Sequence, residues 1–429
     1  MFTEEQNNSA SAIDEKSGMI QADVYTSFEN TGDIKQQWDN FIELIGSEIF
    51  LTCDWCRIWW QYYGKGRKLR IFIFKKDGNI IGIVPLFFES IRIGLTNIKV
   101  VKIVGADFTL AQFSLPIKQN YLPAVMRIIY ESLENEQWDV IYLGPLAGIY
   151  KDFDALFDAA KRGFHNAKCI PIDNQNTQTY FEITSDWETY LSAISKQERS
   201  NVRRAYNMVS QMLNEAPMGI KSEFVSDSNI SEYFNEFVAM HQAHWQKLGK
   251  AGHFGDWPDS KAFHEELASV NHALGRTRLL KVQLGENCLG YQYQYKFGKS
   301  YYDFLDCRND SNMYKDIGIG RIAFCEIVKK AIAEGIKIID SMRGTYEHKL
   351  RLGGKLFMIK GIYLIRNSSS SKIKAAILHK ISYLVNIGYF RLWYCKIAPR
   401  LPMKFGPLWK YWIKTNLFAS MNKKYKTPD

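Results

Sequence analysis

The feature that most constrains the fold is an order of elements that occurs twice along the chain. Residues 68–90, KLRIFIFKKDGNIIGIVPLFFES, predict a strand, a glycine-containing turn and a second strand, and residues 276–307 repeat this order with a third strand added. In each half, a predicted helix (around residues 121–135 and 319–334) precedes a short apolar strand, WDVIYLG or IKIIDSM. This repetition predicts a duplicated α/β unit built on a mixed sheet.

The length and the local composition predict four segments. A chain of 429 residues is long enough for two domains. Residues 1–20 carry acids and amides without an apolar core, which predicts a disordered tail rather than a secretion signal. We expect a first unit over residues 21–175, a second unit over residues 176–368 and a helical extension over residues 369–429. YFEI is expected to open the second unit as a strand, and Ser185 or Asp186 to cap the helix that follows.

Charge and cysteine content narrow the classes of partner. The net charge of +10 favours anionic partners such as phosphorylated cofactors, nucleotides or anionic lipid. The basic residues show no pattern typical of nucleic-acid binding, so nucleic acid is not an expected partner. The seven cysteines are scattered, which predicts free thiols in the cytoplasm. The eight histidines never stand at ligand spacing with cysteines or acids, so no metal site is expected.

A glycine-containing stretch before the predicted helix at residue 319 is the main candidate for ligand binding. Its pattern is basic-x-x-Gly-x-Gly, from Lys315 to Gly318 and Gly320. Glycines let a backbone approach a ligand closely, and a helix N-terminus adds free N–H groups and a positive dipole end, which suits a pyrophosphate. The alternative is a helix that simply starts after glycines.

Acidic and histidine side chains near this stretch are candidates for proton transfer. His244 has a suitable intrinsic pKa, although it could instead only pack against Trp245. Asp303 and Asp306 are three residues apart on one predicted strand, so at most one is expected to face a cleft. Asp340 ends the strand IKIID, where a carboxylate could act as a base or hold a substrate amine.

Two basic segments complete the set of candidates. Lys196, Arg199 and Arg203 share one face of a predicted helix, which is either a solvated face or a ridge that meets an anionic substrate. In residues 371–426, aromatic and aliphatic residues alternate with cations, and prolines at 399 and 402 divide the segment into two helical pieces. This segment could lie on an anionic membrane surface, on the protein's own body or on a partner chain.

The stretches SKQERSNVRR, HQAHWQKLGKAGHFGDW, LGYQYQYKFGKSYYDFLDCRND and GIGRIAFCEIVKKAIAEGIKIIDSMRGTYEHKLRLGG resemble the GNAT acyltransferase superfamily. The chain looks closest to the BioF2-like, or CelD-type, branch associated with polysaccharide biosynthesis. The resemblance covers residues 180–365 well and the first half more loosely. It implies two tandem GNAT-like units, related in architecture to Fem-type aminoacyl transferases.

What the resemblance implies is an acyl-CoA donor, most simply acetyl-CoA, and direct attack of an amine on the thioester. The residues that would contact the donor are Lys315, Gly318, Ile319, Gly320, Arg321 and Asp306. The residues that would take part in proton transfer are Asp340, Tyr346, His244 and Lys349. The residues that would bind the acceptor, a small molecule or glycan precursor, are Arg199, Arg203, Trp245 and Arg343.

The sequence departs from the family pattern in two places. Lys315 stands where many members have Arg or Gln, and Glu347 and His348 separate Tyr346 from Lys349, so either Tyr346 or His348 could protonate the thiolate. The first half lacks paired glycines at the corresponding place, so it is expected to shape the acceptor cleft and to bind no CoA.

Three functions are consistent with these features. The first is an acyl-CoA-dependent N-acyltransferase that acts on an amino sugar or related intermediate of surface polysaccharide. The second is a Fem-like transferase that takes an aminoacyl group from tRNA. The third is a non-catalytic scaffold at the membrane edge that uses the basic extension. The expected location is the cytoplasm, with peripheral attachment to the inner face of the membrane as one option.

Overall fold

The computed structural model describes residues 19–212, 220–226, 229–247, 252–311, 317–344, 346–397 and residue 400. The elements of the first half are β1 (Gln21–Tyr25), α1 (Lys35–Leu44), α2 (Cys53–Tyr63), β2 (Lys68–Lys76), β3 (Asn79–Ile93), β4 (Thr96–Ile103), α3 (Leu122–Glu134), β5 (Val140–Leu146), α4 (Phe153–Gly163) and β6 (Ala167–Glu182). Short 3₁₀ helices cover Glu29–Ile34, Ile49–Leu51 and Gln119–Tyr121.

The second half contains a similar succession with more helices. Its elements are α5 (Trp187–Ala193), α6 (Lys196–Met212), β7 (Ile220–Phe224), α7 (Ile230–Lys247), α8 (His253–Asp256), α9 (Ser260–Ala273), β8 (Thr277–Leu284), β9 (Asn287–Phe297), β10 (Ser300–Arg308), α10 (Ile319–Ala333), β11 (Ile338–Arg343), α11 (Glu347–Arg351) and β12 (Lys355–Arg366). It is followed by α12 (Ser369–Val385) and a π-helical segment, Asn386–Ile397.

Within the described residues, the twelve strands form one mixed sheet with the order β1-β2-β3-β4-β5-β12-β6-β11-β10-β9-β8-β7. Strands β1 to β4 pair in antiparallel fashion and β4 pairs with β5 in parallel. Strands β7 to β11 repeat this pattern, with the parallel pair between β10 and β11. The mixed α/β fold expected from the sequence is therefore confirmed.

The last strand of each half crosses into the sheet of the other half. β6 follows the first half in sequence but pairs with β11, and β12 follows the second half but pairs with β5. β6 and β12 also pair with each other, from Lys355 opposite Tyr180 to Arg366 opposite Ala167. The expected unit boundary at residues 175 and 176 falls inside β6, so the two units share their central strands.

Two buried apolar clusters lie on the sheet. One cluster joins the halves, because Phe50 and Trp55 of the first half contact Tyr302 and Tyr295 of the second, with ring centroids 5.2 and 5.1 Å apart. The other cluster packs α5, α6 and α10 against strands of the second half.

The helix-start prediction is also confirmed at α5, where Asp186 Oδ1 accepts a hydrogen bond of 2.8 Å from the N–H of Thr189.

We predict that Ile362→Ala destabilises both units together. Ile362 is fully buried in β12, opposite Leu143 of β5 and Pro171 of β6, so the cavity lies where the two sheets join. We expect a loss of about 2–5 kcal/mol in the free energy of unfolding, measured by urea titration with tryptophan fluorescence and far-UV circular dichroism.

Met358→Ala is the matched control in the same strand. Met358 is 43% exposed, so we expect its change to stay within about 0.5 kcal/mol. Two separate transitions, of which Ile362→Ala shifts only one, would contradict the shared core.

Candidate active site

The parallel strands β10 and β11 separate after three paired residues. Ser300–Tyr302 pair with Ile338–Asp340, after which β10 continues along β9 while β11 continues along β6. A cleft therefore opens in the sheet beyond Tyr302 and Asp340. In the first half, β4 and β5 likewise pair over only three residues, Val100–Lys102 with Val140–Tyr142. Because β10 and β11 no longer pair in the cleft, their backbone groups there can bind a ligand.

A β-bulge in β10 places two carboxylates on the same side of the sheet. The register of β10 against β9 shifts between Asp303 and Leu305. A bulge inserts one extra residue and thereby offsets the alternation of side chains. The charges of Asp303 and Asp306 accordingly interact electrostatically with each other and with Lys349. The expectation that at most one of these two acids faces the cleft is wrong for this reason.

Lys349 of α11 reaches into the cleft from the loop after β11. Its Nζ donates a hydrogen bond to the carbonyl of Ser341, and Ser341 Oγ donates to Asp303 Oδ2 at 3.2 Å. Burial, together with the negative charge of Asp306, raises the pKa of Asp303 to about 6. Burial lowers the pKa of Lys349, against the opposing effect of Asp303, Asp306 and Asp340. The group is therefore an acid–base cluster in which Asp303 and Lys349 are partly buried and Asp306 is exposed.

Asp340 is buried at the point where the strands separate. Its Oδ1 accepts a hydrogen bond of 2.9 Å from the N–H of Met342, and its Oδ2 accepts one of 2.7 Å from Gln178 Nε2 of β6. Burial, together with the negative charge of Glu48, raises the pKa of Asp340 to about 7. Met342 is held at φ +57°, a backbone conformation that is rare for a residue other than glycine. A carboxyl group with this pKa can exchange a proton near neutral pH.

A pocket of about 340 Å³ between the two units leads to Asp340. The first unit contributes Glu48, Ser114 and Tyr150, and the second contributes Tyr302 and Asp340. Glu48 accepts a hydrogen bond of 2.7 Å from Ser114 Oγ, and burial raises the pKa of Glu48. Within the part of the chain that the structure describes, the buried hydroxyl of Tyr150 has no hydrogen-bond partner. The pocket thus offers acidic and phenolic groups to a polar ligand.

The glycine-containing stretch ends at the N-terminus of α10. Gly318 precedes the helix with φ +72°, and its carbonyl accepts hydrogen bonds from the N–H groups of Arg321 and Ile322. A Cβ atom added at Gly320 would meet no atom within 4 Å, so the space beside it is open. Arg321 forms an ion pair with the buried Glu198 of α6. Lys315 lies outside the described residues.

The three arginines predicted to bind the acceptor occupy different places. Arg199 donates to the carbonyls of Leu191, Ser192 and Ile194 at the end of α5, with distances of 2.8–3.2 Å. The side chain of Arg203 is exposed on α6. Arg343 lies at the junction of the units and donates to the carbonyl of Ala111 at 3.1 Å. The structure does not bring these three residues together, and their role in substrate binding stays a prediction.

The remaining predicted residues divide between the cleft and a neighbouring aromatic cluster. Tyr346 is 55% exposed, its ring lies 5.6 Å from that of His348, and Lys349 Nζ lies 5.3 Å from its centroid. His244 instead pairs with Asp310, and Trp245 contacts His244 through its ring. Asp340, Lys349, Asp306 and Tyr346 therefore belong to one region, whereas His244 and Trp245 lie on α7 beside the end of β10.

The sequence-based candidates did not include Ser114 and Tyr150 of the pocket, nor three residues closer to the central acids. Glu48, Gln178 and Ser341 contact or polarise the central acids, yet SEIFL and TQTYF show no pattern that predicts a role for Glu48 or Gln178. Ser341 could have been suggested by its place directly after Asp340. Within the described residues, no group of three or more His, Cys, Asp or Glu side chains could hold a metal ion.

Comparison with known proteins identifies the second unit. Residues 197–350, about a third of the chain, match the family model described as acetyltransferase (GNAT) domain. No curated protein matches the sequence. The crystal structure of FemX aligns with a TM-score of 0.56 at 14% identity and covers 78% of this chain and 96% of FemX.

Two further solved structures align less closely. L-PGS from Bacillus licheniformis has a TM-score of 0.46 at 12% identity, over 83% of this chain and 97% of its own. A tandem GNAT protein from the clavulanic acid biosynthesis pathway has a TM-score of 0.41 at 8% identity, over 81% and 99%. The family match supports a transferase activity for residues 197–350, and the likeness to FemX concerns the fold alone.

We predict that Asp340→Asn stabilises the fold increasingly as the pH rises. A folded-state pKa of about 7, above the ordinary 3.8, means that the folded protein binds a proton which the unfolded chain releases between these values. Stability contributed by the neutral carboxyl is therefore lost as the pH rises toward 7.

The asparagine variant cannot ionise, so its advantage over the parent should grow by about 3 kcal/mol between pH 5 and pH 8. Urea unfolding at both pH values measures this difference. A constant difference between the two proteins would contradict the raised pKa.

Proposed function

We propose that this GNAT-type transferase is an N-acyltransferase that moves an acyl group from acyl-CoA to an amine at the cleft between β10 and β11. The observation that carries the proposal is Asp340, a buried acid with a pKa of about 7, positioned where the two strands separate and where the pocket between the units ends. Amine acylation needs a proton acceptor at this place, because an ammonium group cannot attack a thioester.

In the proposed reaction, the acceptor amine enters through the pocket between the units. The Asp340 carboxylate removes a proton from the ammonium group, and the neutral nitrogen attacks the thioester carbonyl. A C–N bond forms and the C–S bond breaks, so that the thiolate leaves as CoA. Lys349 supplies a proton to the thiolate, which its lowered pKa favours. The second proton lost by the nitrogen after the attack passes to the neutral Lys349 amine, so that Lys349 ends the step protonated and Asp340 holds the first proton. Tyr346, beside Lys349, is the alternative proton donor.

The donor end of the proposed site is the first turn of α10. The first N–H groups of a helix have no intrahelical acceptor, and together with the helix dipole they favour a phosphate. In α10 the N–H groups of Arg321 and Ile322 already donate to the carbonyl of Gly318, so only the N–H groups before Arg321 are available. The open space at Gly320 supports this placement. Gly318 and Ile319 would contribute backbone groups, and Lys315 would add charge. Arg321 would act while paired with Glu198, which limits how much positive charge it can contribute.

We propose an amino sugar, or a related intermediate of surface polysaccharide, as the acceptor. Support comes from the chemistry of the pocket, in which Glu48 and Asp340 can bind an ammonium group while Tyr150 and Ser114 can bind hydroxyl groups. An acceptor of this kind also agrees with the BioF2-like branch that the sequence resembles, which is associated with polysaccharide biosynthesis.

A Fem-type aminoacyl transfer from tRNA is the second candidate. Two observations favour it: the fold aligns with FemX, and Asp303 and Asp306 place negative charge in the cleft. Such charge suits the α-ammonium group of an aminoacyl ester better than the neutral pantetheine arm of CoA. The two candidates differ in their donor, and donor binding distinguishes them.

We predict that acetyl-CoA and CoA bind the parent protein with micromolar affinity and bind Gly320→Glu at least about tenfold more weakly. The substitution has room for its side chain but brings a negative charge to the N-terminus of α10, where it repels a phosphate. Isothermal titration calorimetry measures both affinities.

Gly32→Glu is the matched control, because a Cβ atom at Gly32 also meets no atom within 4 Å. Equal CoA binding by all three proteins would remove α10 from the donor site. If the folded parent binds no CoA but binds charged tRNA, the second candidate replaces the first.

We predict that Asp340→Asn lowers kcat by about 10²- to 10⁴-fold, the usual loss when a general base is removed. With acetyl-CoA as donor and glucosamine as the probe acceptor, released thiol measures the rate. The rate of the parent should rise through pH 7 as Asp340 ionises. A variant that retains parental activity would exclude Asp340 as the base.

A further inference from the structure

The net positive charge of the protein is concentrated in its last 61 residues. Residues 369–429 contain twelve Lys or Arg and a single acid, Asp429, whereas the whole chain has a net charge of +10. The preceding 368 residues, which contain both units, are therefore close to neutral. The acyltransferase body itself has no excess of cations, so an anionic partner would be attracted to the C-terminal extension.

The first helix of this extension is attached to the sheet along one side. Ser371 Oγ donates a hydrogen bond of 2.8 Å to Asp139 Oδ1, and Lys374 Nζ lies 3.0 Å from Asp139 Oδ2. Ala375 is buried on the same side. Burial acts to raise the pKa of Asp139, but hydrogen bonds donated by the backbone N–H of Lys99 and by the side chains of Ser371 and Lys374 hold it below its usual range. These contacts determine which side of α12 faces solvent.

The solvent side of the extension is unusually apolar. Among the described residues, large hydrophobic side chains that are exposed concentrate between residues 373 and 397. The members of this surface, which we call the apolar ridge, are Ile373, Tyr383, Leu384, Ile387, Leu392 and Ile397. Exposed apolar groups of this density mark a binding surface in most folded proteins. The cations Lys372, Lys380 and Lys396 are exposed alongside the ridge.

A wide apolar groove adjoins the ridge. It has a volume of about 720 Å³ and lies between α12 and the face of β5, β12 and β6, with Ile170, Ile172 and Ile365 among its lining residues. Ala376 of α12 also lines it, and Tyr383 of the ridge is seven residues further, which places both on the same face of the helix. The apolar surface therefore continues from the ridge into the groove, with Lys168 and Lys372 in the lining.

We propose that residues 369–397 dock the protein on an anionic phospholipid bilayer. The apolar ridge enters the interfacial region, and the neighbouring lysines contact lipid phosphates. This combination, an apolar face beside cations with tyrosine and tryptophan interspersed, is what an interfacial segment requires. The sequence continues the pattern to Lys426. A nucleic acid could use the cations but would leave the aliphatic side chains of the ridge in water, so the bilayer is the favoured partner. No helix among those described is both long and apolar enough to cross the membrane, and surface docking requires none.

The test is co-sedimentation of the full chain with vesicles of phosphatidylcholine alone or mixed with phosphatidylglycerol. We expect strong binding only to the mixed vesicles. Each lysine near such a surface contributes about fivefold in affinity, so the triple variant Lys372→Gln, Lys380→Gln, Lys396→Gln should bind about 100-fold more weakly. The matched control neutralises three exposed lysines on the two units, Lys65, Lys161 and Lys261, and should bind like the parent.

Three outcomes would overturn the proposal. In the first, the folded parent does not bind mixed vesicles. In the second, the test and control variants lose vesicle binding equally. In the third, the three test lysines are needed for tRNA binding but not for vesicle binding. Replacement of Ile373 and Leu384 by Ser tests the apolar part separately, and vesicle binding should then become weaker and more sensitive to salt. Acyl transfer to a dissolved acceptor does not involve these residues, so vesicle binding and the proposed reaction can fail independently.

Discussion

The structure depends on the pairing of β6 with β12, the two strands that the halves exchange. Because each strand continues the sheet of the opposite half, the two units cannot separate without breaking backbone hydrogen bonds of the central sheet. The exchange also builds the candidate site. Gln178 reaches Asp340 only because β6 lies beside β11, and Glu48 of the first half then forms part of the same pocket.

Buried carboxyl groups on either side of the cleft carry most of the inferred chemistry. Their burial is unfavourable for the charged form, and each is only partly compensated by hydrogen bonds, so their pKa values rise toward neutrality. A carboxylate held in a full ion pair would make the folded protein more stable, because it would keep its charge. Such a carboxylate could not exchange a proton near pH 7. The fold therefore accepts a loss of stability at Asp340 that a catalytic role would explain.

The candidate active site and the excess positive charge lie in different parts of the chain. The two units are nearly neutral and contain the cleft, whereas the extension after β12 contains the excess of cations and the apolar ridge. β12 connects these regions directly, since α11 with Lys349 precedes it and α12 follows it. If the extension binds a bilayer, this strand sets a fixed distance between the membrane surface and the cleft, which would favour acceptors held near that surface.

Local patterns in the sequence determined much of the architecture but little of the site's geometry. The alternation of apolar residues predicted β2, β3 and β8 to β11, and the repeated order of elements predicted the duplication. Ser185 or Asp186 was expected to cap a helix, and Asp186 does so. Each of these features depends on neighbouring residues. Asp340 was selected as a candidate from its position at the end of a strand, and Lys349 from the resemblance to the GNAT family. The bulge that turns Asp303 and Asp306 to one side, the exchange of β6 and β12, and the contributions of Glu48 and Gln178 were decided by the tertiary structure. Each of these features depends on which distant strand or loop packs against the residue. That pairing is determined by the packing free energy of the whole sheet, which cannot be read from a short stretch of sequence.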